Sequence, residues 1–483
     1  MNPAMLALLP QELVAATIVV LLLADAFTPD SGKRALAGVA AIGITLALVA
    51  AVLALPGPPP GDTALFNGTV AVDTFALFFD VLFLFLTLLV LMLAPAYLER
   101  RGVQRGEFYI LLVAALMGMM VLVGALNLMT VFIGVELLSI ALYVLAAFLR
   151  GEERSQEAGL KYLLIGGFAS GCLLYGMALL YGGTGTTALP AITSALARLT
   201  GDNLLFAMVG IGLVLVGMAF KASAAPFHAW TPDVYEGAPT PLVAFMSVGT
   251  KVAAVAVFLR LFAVHFRPSL VAGRWTVLLG AVVALSMLVG AAGALRQTEM
   301  KRLMAYSSIA QAGYLLLAVV GGSQQAMIGG LFFLAAYAVM TFGAFAVLSL
   351  LAGEDRDTVP IESLRGLGYS QPLAGVALAI AMLSLAGVPP LVGFWGKLFV
   401  FAAAIRAGYL ALTLVAIVAS AISLYYYLRV VALLYTRAPE SDGAHRQLDP
   451  WGTAAAIFAG ALTVLLGILP SILYGWAERS SLL

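Results

Sequence analysis

"GMAFKASAAPFHAW", residues 217–230, puts a lysine, a proline and a histidine inside one long apolar run. In hydrocarbon, a lysine near a span centre costs roughly 2.5–3.5 kcal/mol. Pro226 removes a backbone hydrogen bond and clashes with the preceding turn. The carbonyls and amides it frees are tolerated at that depth only where they line a wet or protein-filled cavity. Such a break would give Lys221 and His228 water and backbone partners, so the stretch reads as part of a proton wire. Length argues the same way. A straight helix over 203–236 would run about 51 Å, too long for a core of about 30 Å.

The rest of the composition demands a bilayer. Of 483 residues, 63% are hydrophobic and 10% are charged, with a mean hydropathy of +1.05. Soluble domains carry about 25% charged residues. The apolar runs are long and continuous, which indicates helices rather than the alternating strands of a barrel. The net charge of +1 gives no field for nucleic acid. A single cysteine, Cys172, excludes an intrachain disulfide and an iron–sulfur cluster held by this chain alone. No run of polar sequence is long enough for a soluble catalytic domain. The first apolar run lacks a small-residue cleavage signature and reads as a retained span.

The fold class expected is all-α, with fourteen membrane spans. They cover 4–24, 35–55, 72–97, 108–126, 128–149, 157–181, 203–230, 239–264, 275–295, 301–320, 324–352, 371–405, 408–435 and 451–476. Span 12 is interrupted like span 7, at "LAGVPPLVGFWGK" (385–397), where Pro389 and Pro390 stand together. The two interrupted spans are five apart. Spans 4–8 (108–264) and 9–13 (275–435) then form two five-helix repeats of opposite topology, after a three-helix segment (1–107) and before span 14 (451–476). Matching "VELLSIALYVL" to "YSSIAQAGYLL" on their tyrosines sets Ser307 opposite Glu136. Loops after odd-numbered spans carry 14 lysines and arginines, against 5 on the opposite side. Positive residues stay in the cytoplasm, so both termini are expected outside.

The distribution of lysine is the main functional signal. Of six lysines, Lys33 and Lys301 read as loop residues, while Lys161, Lys221, Lys251 and Lys397 fall inside spans. The 19 arginines lie mostly in loops. Lysine differs from arginine in being able to release its proton when desolvated. Lys251 lies about 18 Å from either end of span 8, too deep to snorkel, whereas Lys161 lies near the start of span 6 and can reach the surface. Glu136 is the one carboxylate near mid-span, with Asp80 a lesser candidate. A lysine and a carboxylate within reach keep each other charged, so Glu136 and Lys221 are expected to pair. His265 and His445 read as solvated loop residues. There is no phosphate-cradling GxxxxGK[ST], and no histidine–cysteine cluster has metal spacing. "GGTGTT" (182–187) reads as a loop.

Two stretches, "FKASAAPFHAWTPDVYEGAPTPLVAFMSVGTKVA" (220–253) and "KRLMAYSSIAQAGY" (301–314), resemble the antiporter-like membrane subunits of respiratory complex I, most closely the subunit N type. The likeness covers nearly the whole chain. It implies fourteen helices with two inverted repeats, with helices 7 and 12 discontinuous. It also implies proton translocation driven by electron transfer from NADH to quinone elsewhere in a complex. The implied site residues are Glu136, Lys161, Lys221, His228, Lys251 and Lys397. It further implies a bacterial cell membrane location and contacts with other membrane subunits and a peripheral arm. NADH, FMN, iron–sulfur clusters and quinone would sit on those partners, with no cofactor or metal on this chain. A cation/proton antiporter subunit of the Mrp type is the alternative. One position departs from the resemblance: relatives often read "SSIAHxGY", whereas this chain has Gln311, which cannot titrate.

Overall fold

The computed structural model describes residues 3–55, 64–353, 357–437 and 448–483. The helices, in order, are α1 Pro3–Phe27, α2 Ala35–Ala54, α3 Thr74–Arg100, α4 Gly106–Val123, α5 Leu128–Ala146, α6 Glu153–Thr184, α7 Leu189–Leu196, α8 Gly201–Lys221, α9 Trp230–Gly237, α10 Thr240–Phe258, α11 Ser269–Leu295, α12 Met300–Gly321, α13 Gln324–Leu351, α14 Leu367–Ser370, α15 Pro372–Ala386, α16 Val392–Arg406, α17 Leu410–Leu434, α18 Pro450–Ile468 and α19 Pro470–Arg479. Thirteen helices of the described residues are long and apolar enough to cross a membrane. α15 and α16, end to end, make the remaining span of the fourteen expected. Side-chain caps start several helices: Asp73 accepts from Ala76 N, Asn127 from Met129 N, Glu299 from Arg302 N and Ser323 from Ala326 N. The expected span 14 is two helices, α18 and α19, divided before Pro470, which cannot donate the bond that would continue α18.

Several sequence expectations change here. "GGTGTT" is partly helical, because α6 runs on to Thr184 before Gly185 turns left-handed at φ 73°. The loop beyond it holds α7. A two-stranded hairpin, β1 Ala64–Leu65 and β2 Val70–Ala71, precedes α3. His265 is not a solvated loop residue. It closes a π-helical turn, Leu259–His265, and is half-buried, with Nδ1 3.0 Å from Thr193 Oγ1. His445 falls outside the described residues.

Both expected breaks are present. α8 stops at Lys221 and α9 starts at Trp230, and the Ala225–Pro226 bond between them is cis. α15 stops at Ala386 and α16 starts at Val392, with a cis Pro389–Pro390 bond. Each break leaves backbone groups that the bilayer cannot satisfy, and side chains collect them. At the first break, Ala225 N donates to Ser286 Oγ at 2.8 Å and Trp230 Nε1 donates to Phe220 O at 3.3 Å. At the second, Gly393 N donates to Ser384 Oγ at 3.1 Å, and Lys397 takes both freed carbonyls of Leu385 and Ala386. Gly387 ends α15 at φ 89°, and a Cβ there would lie 3.2 Å from Lys397 Cδ. Only glycine suits that position.

The two halves share a local geometry. Asn127 bridges Ala188, and Glu299 bridges Pro360, both antiparallel. A Cβ on Gly118 would meet Leu138 N at 2.4 Å, and one on Gly290 would meet Ala310 N at 2.3 Å. Small residues thus bring α4 onto α5 and α11 onto α12 at backbone distance. Every one of these pairs maps from the first half to the second by the same shift in number. That shift sets Glu136 opposite Ser308, one residue from the match on tyrosines. The centre of the bundle is α10, α12 and α13, whose apolar windows are 94–100% buried.

One face carries a belt of ion pairs between loops that follow odd-numbered spans. Arg34 meets Glu99, Arg101 meets Glu152, Arg154 meets Glu236, and Arg302 meets Asp233 and Glu236. Lys301 belongs to this belt and not to a free loop. It stands in the first turn of α12 with no exposed surface, 3.1 Å from Asp357 Oδ2 and 2.9 Å from Ala238 O. Asp357 also accepts from Thr240 N at 2.9 Å and Thr240 Oγ1 at 2.7 Å. On the opposite face, Arg260 reaches Asp73 at 2.8 Å and Val123 O at 3.0 Å. Removing one partner of a buried pair leaves an uncompensated charge and costs about 3–5 kcal/mol. Asp357→Ala is therefore expected to lower the thermal unfolding midpoint and the amount of protein recovered from membranes, and Arg34→Ala, in an exposed pair, is expected to do neither.

Candidate functional site

Lys221 is 3% exposed, and its Nζ has no hydrogen-bond partner among the described residues. The ammonium faces aromatic rings: Tyr143 at 5.2 Å, Tyr162 at 5.3 Å and Phe220 at 5.5 Å. Tyr162 stacks on Trp230 at 4.5 Å, which fixes the cage. Ring faces hold a desolvated cation by about 2 kcal/mol or more. The expected contact between Lys221 and Glu136 is not made. Glu136 is half-buried on α5 and accepts from Ser170 Oγ on α6, and it acts on Lys221 only through space. Pro226 and Ala229 are exposed on the outside of the bundle. His228 is half-buried beside the Pro226 carbonyl, and its Nδ1 lacks a partner among the described residues.

Lys251 is fully buried in the central helix α10. It donates to both the backbone oxygen and Oγ of Ser308 on α12. Tyr337 on α13 lies below it, ring centroid 5.9 Å away, and its hydroxyl reaches Ser247 O at 3.1 Å and Ser308 Oγ at 3.4 Å. Among the described residues Lys251 has no carboxylate partner. Lys397, 5% exposed, donates to Leu385 O at 2.9 Å, Ala386 O at 3.0 Å and Ser420 Oγ at 2.9 Å. The two interrupted helices therefore use lysine differently. One break ends in an ammonium among rings, and the other wraps its carbonyls around one.

Lys161 stands apart. Its side chain is 39% exposed and pairs with Glu157 at 2.6 Å and Asp233 at 2.5 Å, inside the ion-pair belt. It belongs to the rim rather than the interior. Asp80, by contrast, is fully buried and accepts from Gln11 Nε2 at 2.6 Å.

This arrangement can be set beside known proteins. Residues 125–423 match the family described as NADH:quinone oxidoreductase/Mrp antiporter, transmembrane. The chain belongs to that family. It is 41% identical over 474 residues to NADH-quinone oxidoreductase subunit N of Trichlorobacter lovleyi, a match covering 98% of this chain and 96% of that one. It also superimposes on a chain of respiratory complex I from Thermus thermophilus with a TM-score of 0.83 at 39% identity, covering 97% of this chain and 99% of that chain. A chain of the Mrp complex from Dietzia shares the fold, with a TM-score of 0.85 at 22% identity and coverage of 99% and 97%.

Within this family member, the structure brings Lys251, Ser307, Ser308, Gln311 and Lys397 around the α12–α17 contact and leaves Glu136 with Lys221 in a separate group. The sequence reading overlooked Ser308, because serine in an apolar helix gives no signal by itself. It also overlooked Arg260, although a charge inside span 8 was visible. A buried ammonium with no counter-ion is a stability cost, whereas surface pairs contribute about 0–1 kcal/mol. Lys251→Met is thus expected to raise the thermal unfolding midpoint, and Lys161→Ala to change it by little. A lower midpoint for Lys251→Met would show that this lysine holds the bundle together.

Proposed function

We propose that this chain is a proton-translocating membrane subunit, of the subunit N type, in an NADH:quinone oxidoreductase. The observation that carries the reading is the series Lys221, Lys251 and Lys397. All three are buried, and none has a carboxylate in contact among the described residues. Structural lysines are paired, as Lys301 is with Asp357. These three are instead given rings, hydroxyls and carbonyls, partners that tolerate either protonation state. Such groups suit a residue that takes up and releases a proton. Lys221 and Lys397 stand at helix breaks, where backbone polar groups are released in mid-membrane.

In this reading Glu136 biases Lys221 through space, and Lys251 links the two halves at the bundle centre. Lys397 serves the outer end of the path. The halves are two inverted five-helix units, which the matching bridges and close helix approaches support. NADH, FMN, iron–sulfur clusters and quinone are assigned to partner subunits, and this chain carries no redox centre. The chain resides in a bacterial cell membrane with both termini outward, and the paired belt then faces the cytoplasm. The Mrp-type alternative is less favoured, since the identity is 39% to the complex I chain and 22% to the Mrp chain.

Lys221→Arg separates a proton carrier from a structural cation. Arginine keeps the charge and cannot release it, so the assembled complex is expected to lose NADH-driven pumping in sealed vesicles. Full pumping would assign Lys221 to holding helices. Orientation has its own check: a reporter active only in the cytoplasm, fused after Leu483, should stay silent, and a strong signal would reverse the topology.

A further inference from the structure

Lys251 reaches α12 at Ser308 and Lys397 reaches α17 at Ser420, and Gln311 stands on α12 one turn on from Ser308. An amide cannot ionise. Its Nε2 is spent on Leu385 O at 3.2 Å and on the Tyr427 hydroxyl at 3.4 Å. Leu385 O is also a carbonyl that Lys397 holds. A proton cannot cross an amide and a carbonyl, so Gln311, bonded on the Lys397 side, offers no protonic link between the lysines.

A second set of groups, all hydroxyls, lies along the same route. Ser307 and Ser308 are consecutive on α12: Ser308 receives Lys251, and Ser307 Oγ is hydrogen-bonded to the Tyr427 hydroxyl. On α17, Ser420, Ser423 and Tyr427 follow the i, i+3, i+7 spacing that places side chains on one helix face. Ser420 Oγ touches Lys397 Nζ at 2.9 Å. One hydroxyl face thus starts at Ser307 and ends at Lys397, over a rise of about 10 Å from Tyr427 to Ser420. Tyr427 is fully buried, and Ser307 and Ser423 are each 1% exposed. Ser423 Oγ donates to Ala419 O at 2.8 Å and stands beside the Tyr314 and Tyr426 hydroxyls, which are buried without hydrogen-bond partners among the described residues. Buried polar groups of that kind are positioned to bond water.

We infer that Tyr427, with Ser423 and Ser420 on the same face of α17, relays protons between Lys251 and Lys397 in this chain, in place of an ionisable side chain at position 311. This inference rests on the proton-translocation reading above. A hydroxyl both donates and accepts. A proton reaching the Tyr427 oxygen from the Ser307 side forms one O–H bond. The original O–H breaks as its proton leaves toward Ser423, one turn away. Tyr427 ends neutral, and rotation of the hydroxyl resets it. The group carries protons without itself titrating.

The test uses the assembled complex in sealed vesicles, with proton pumping measured per NADH oxidised. Tyr427→Phe keeps the ring and removes the oxygen. It is expected to lower pumping severalfold, while NADH oxidation by a soluble artificial acceptor, which bypasses the membrane arm, is unchanged. Adding Gln311→His to Tyr427→Phe is expected to restore pumping, because imidazole supplies an ionisable bridge. The restored activity should acquire a pH dependence of its own, because an imidazole titrates and an amide does not. Normal pumping by Tyr427→Phe would overturn the relay. So would a loss that Gln311→His does not recover, since a packing role predicts no rescue. If Tyr427→Phe does not assemble, Ser307→Ala tests the same link, with reduced pumping expected and normal pumping overturning it. Lys251→Ala and Lys397→Ala run alongside: if both pump normally, the proton-translocation reading itself fails, and if both are defective while Tyr427→Phe is normal, only the relay fails.

Discussion

A bilayer offers no water to a broken hydrogen bond, and much of this molecule follows from that constraint. Each interrupted helix exposes amides and carbonyls that must find partners inside the protein. The first break is closed by Ser286 and Trp230 and the second by Ser384 and Lys397. The Phe220 carbonyl is taken by Ser223 N and Trp230, and Lys221 stands among the surrounding rings. Once Lys397 has taken two carbonyls, it is held at one spot on the α15–α16 junction. The repair of the backbone thus sets where the charges stand.

Charge is handled in two ways, divided by depth. At one face, cations and carboxylates pair off loop to loop, and the pairs stitch together segments far apart in sequence, as Lys301, Asp357 and Thr240 do. In the interior, Lys221, Lys251 and Lys397 have no carboxylate in contact among the described residues, and hydroxyls, carbonyls and rings surround them. Salt bridges fix a charge, whereas neutral polar groups leave it able to change. The rim therefore holds segments together, and the interior keeps its cations free of counter-ions. Lys161 shows the boundary, since its place on α6 lets it reach Asp233 at the rim.

The interior polar groups lie on the most deeply packed helices. α10, α12 and α13 have almost no surface, so their side chains meet only one another. Tyr337 illustrates the result, with one hydroxyl serving Ser247 and Ser308 while its ring lies against Lys251. Close approach through glycine and other small residues is what brings these helices near enough for such short side chains to touch.

Read alone, the sequence determined the bilayer, the span positions, both helix breaks and three deep lysines. Those follow from length, hydropathy and the chemistry of proline and lysine, all of which act within a few residues along the chain. It misplaced Lys301 and His265, because a charge near a span end is read as solvated until the neighbouring loops are known to cover it. It also joined Glu136 to Lys221, inferring contact from matching depth, whereas Ser170 on α6 takes the carboxylate. Partner choice depends on which helices touch and on the rotation of each about its own axis. Serine and tyrosine hydroxyls such as Ser308 and Tyr427 carry no distinctive pattern along the chain, and only the packing of α12 against α10 and α17 turns them into part of the site.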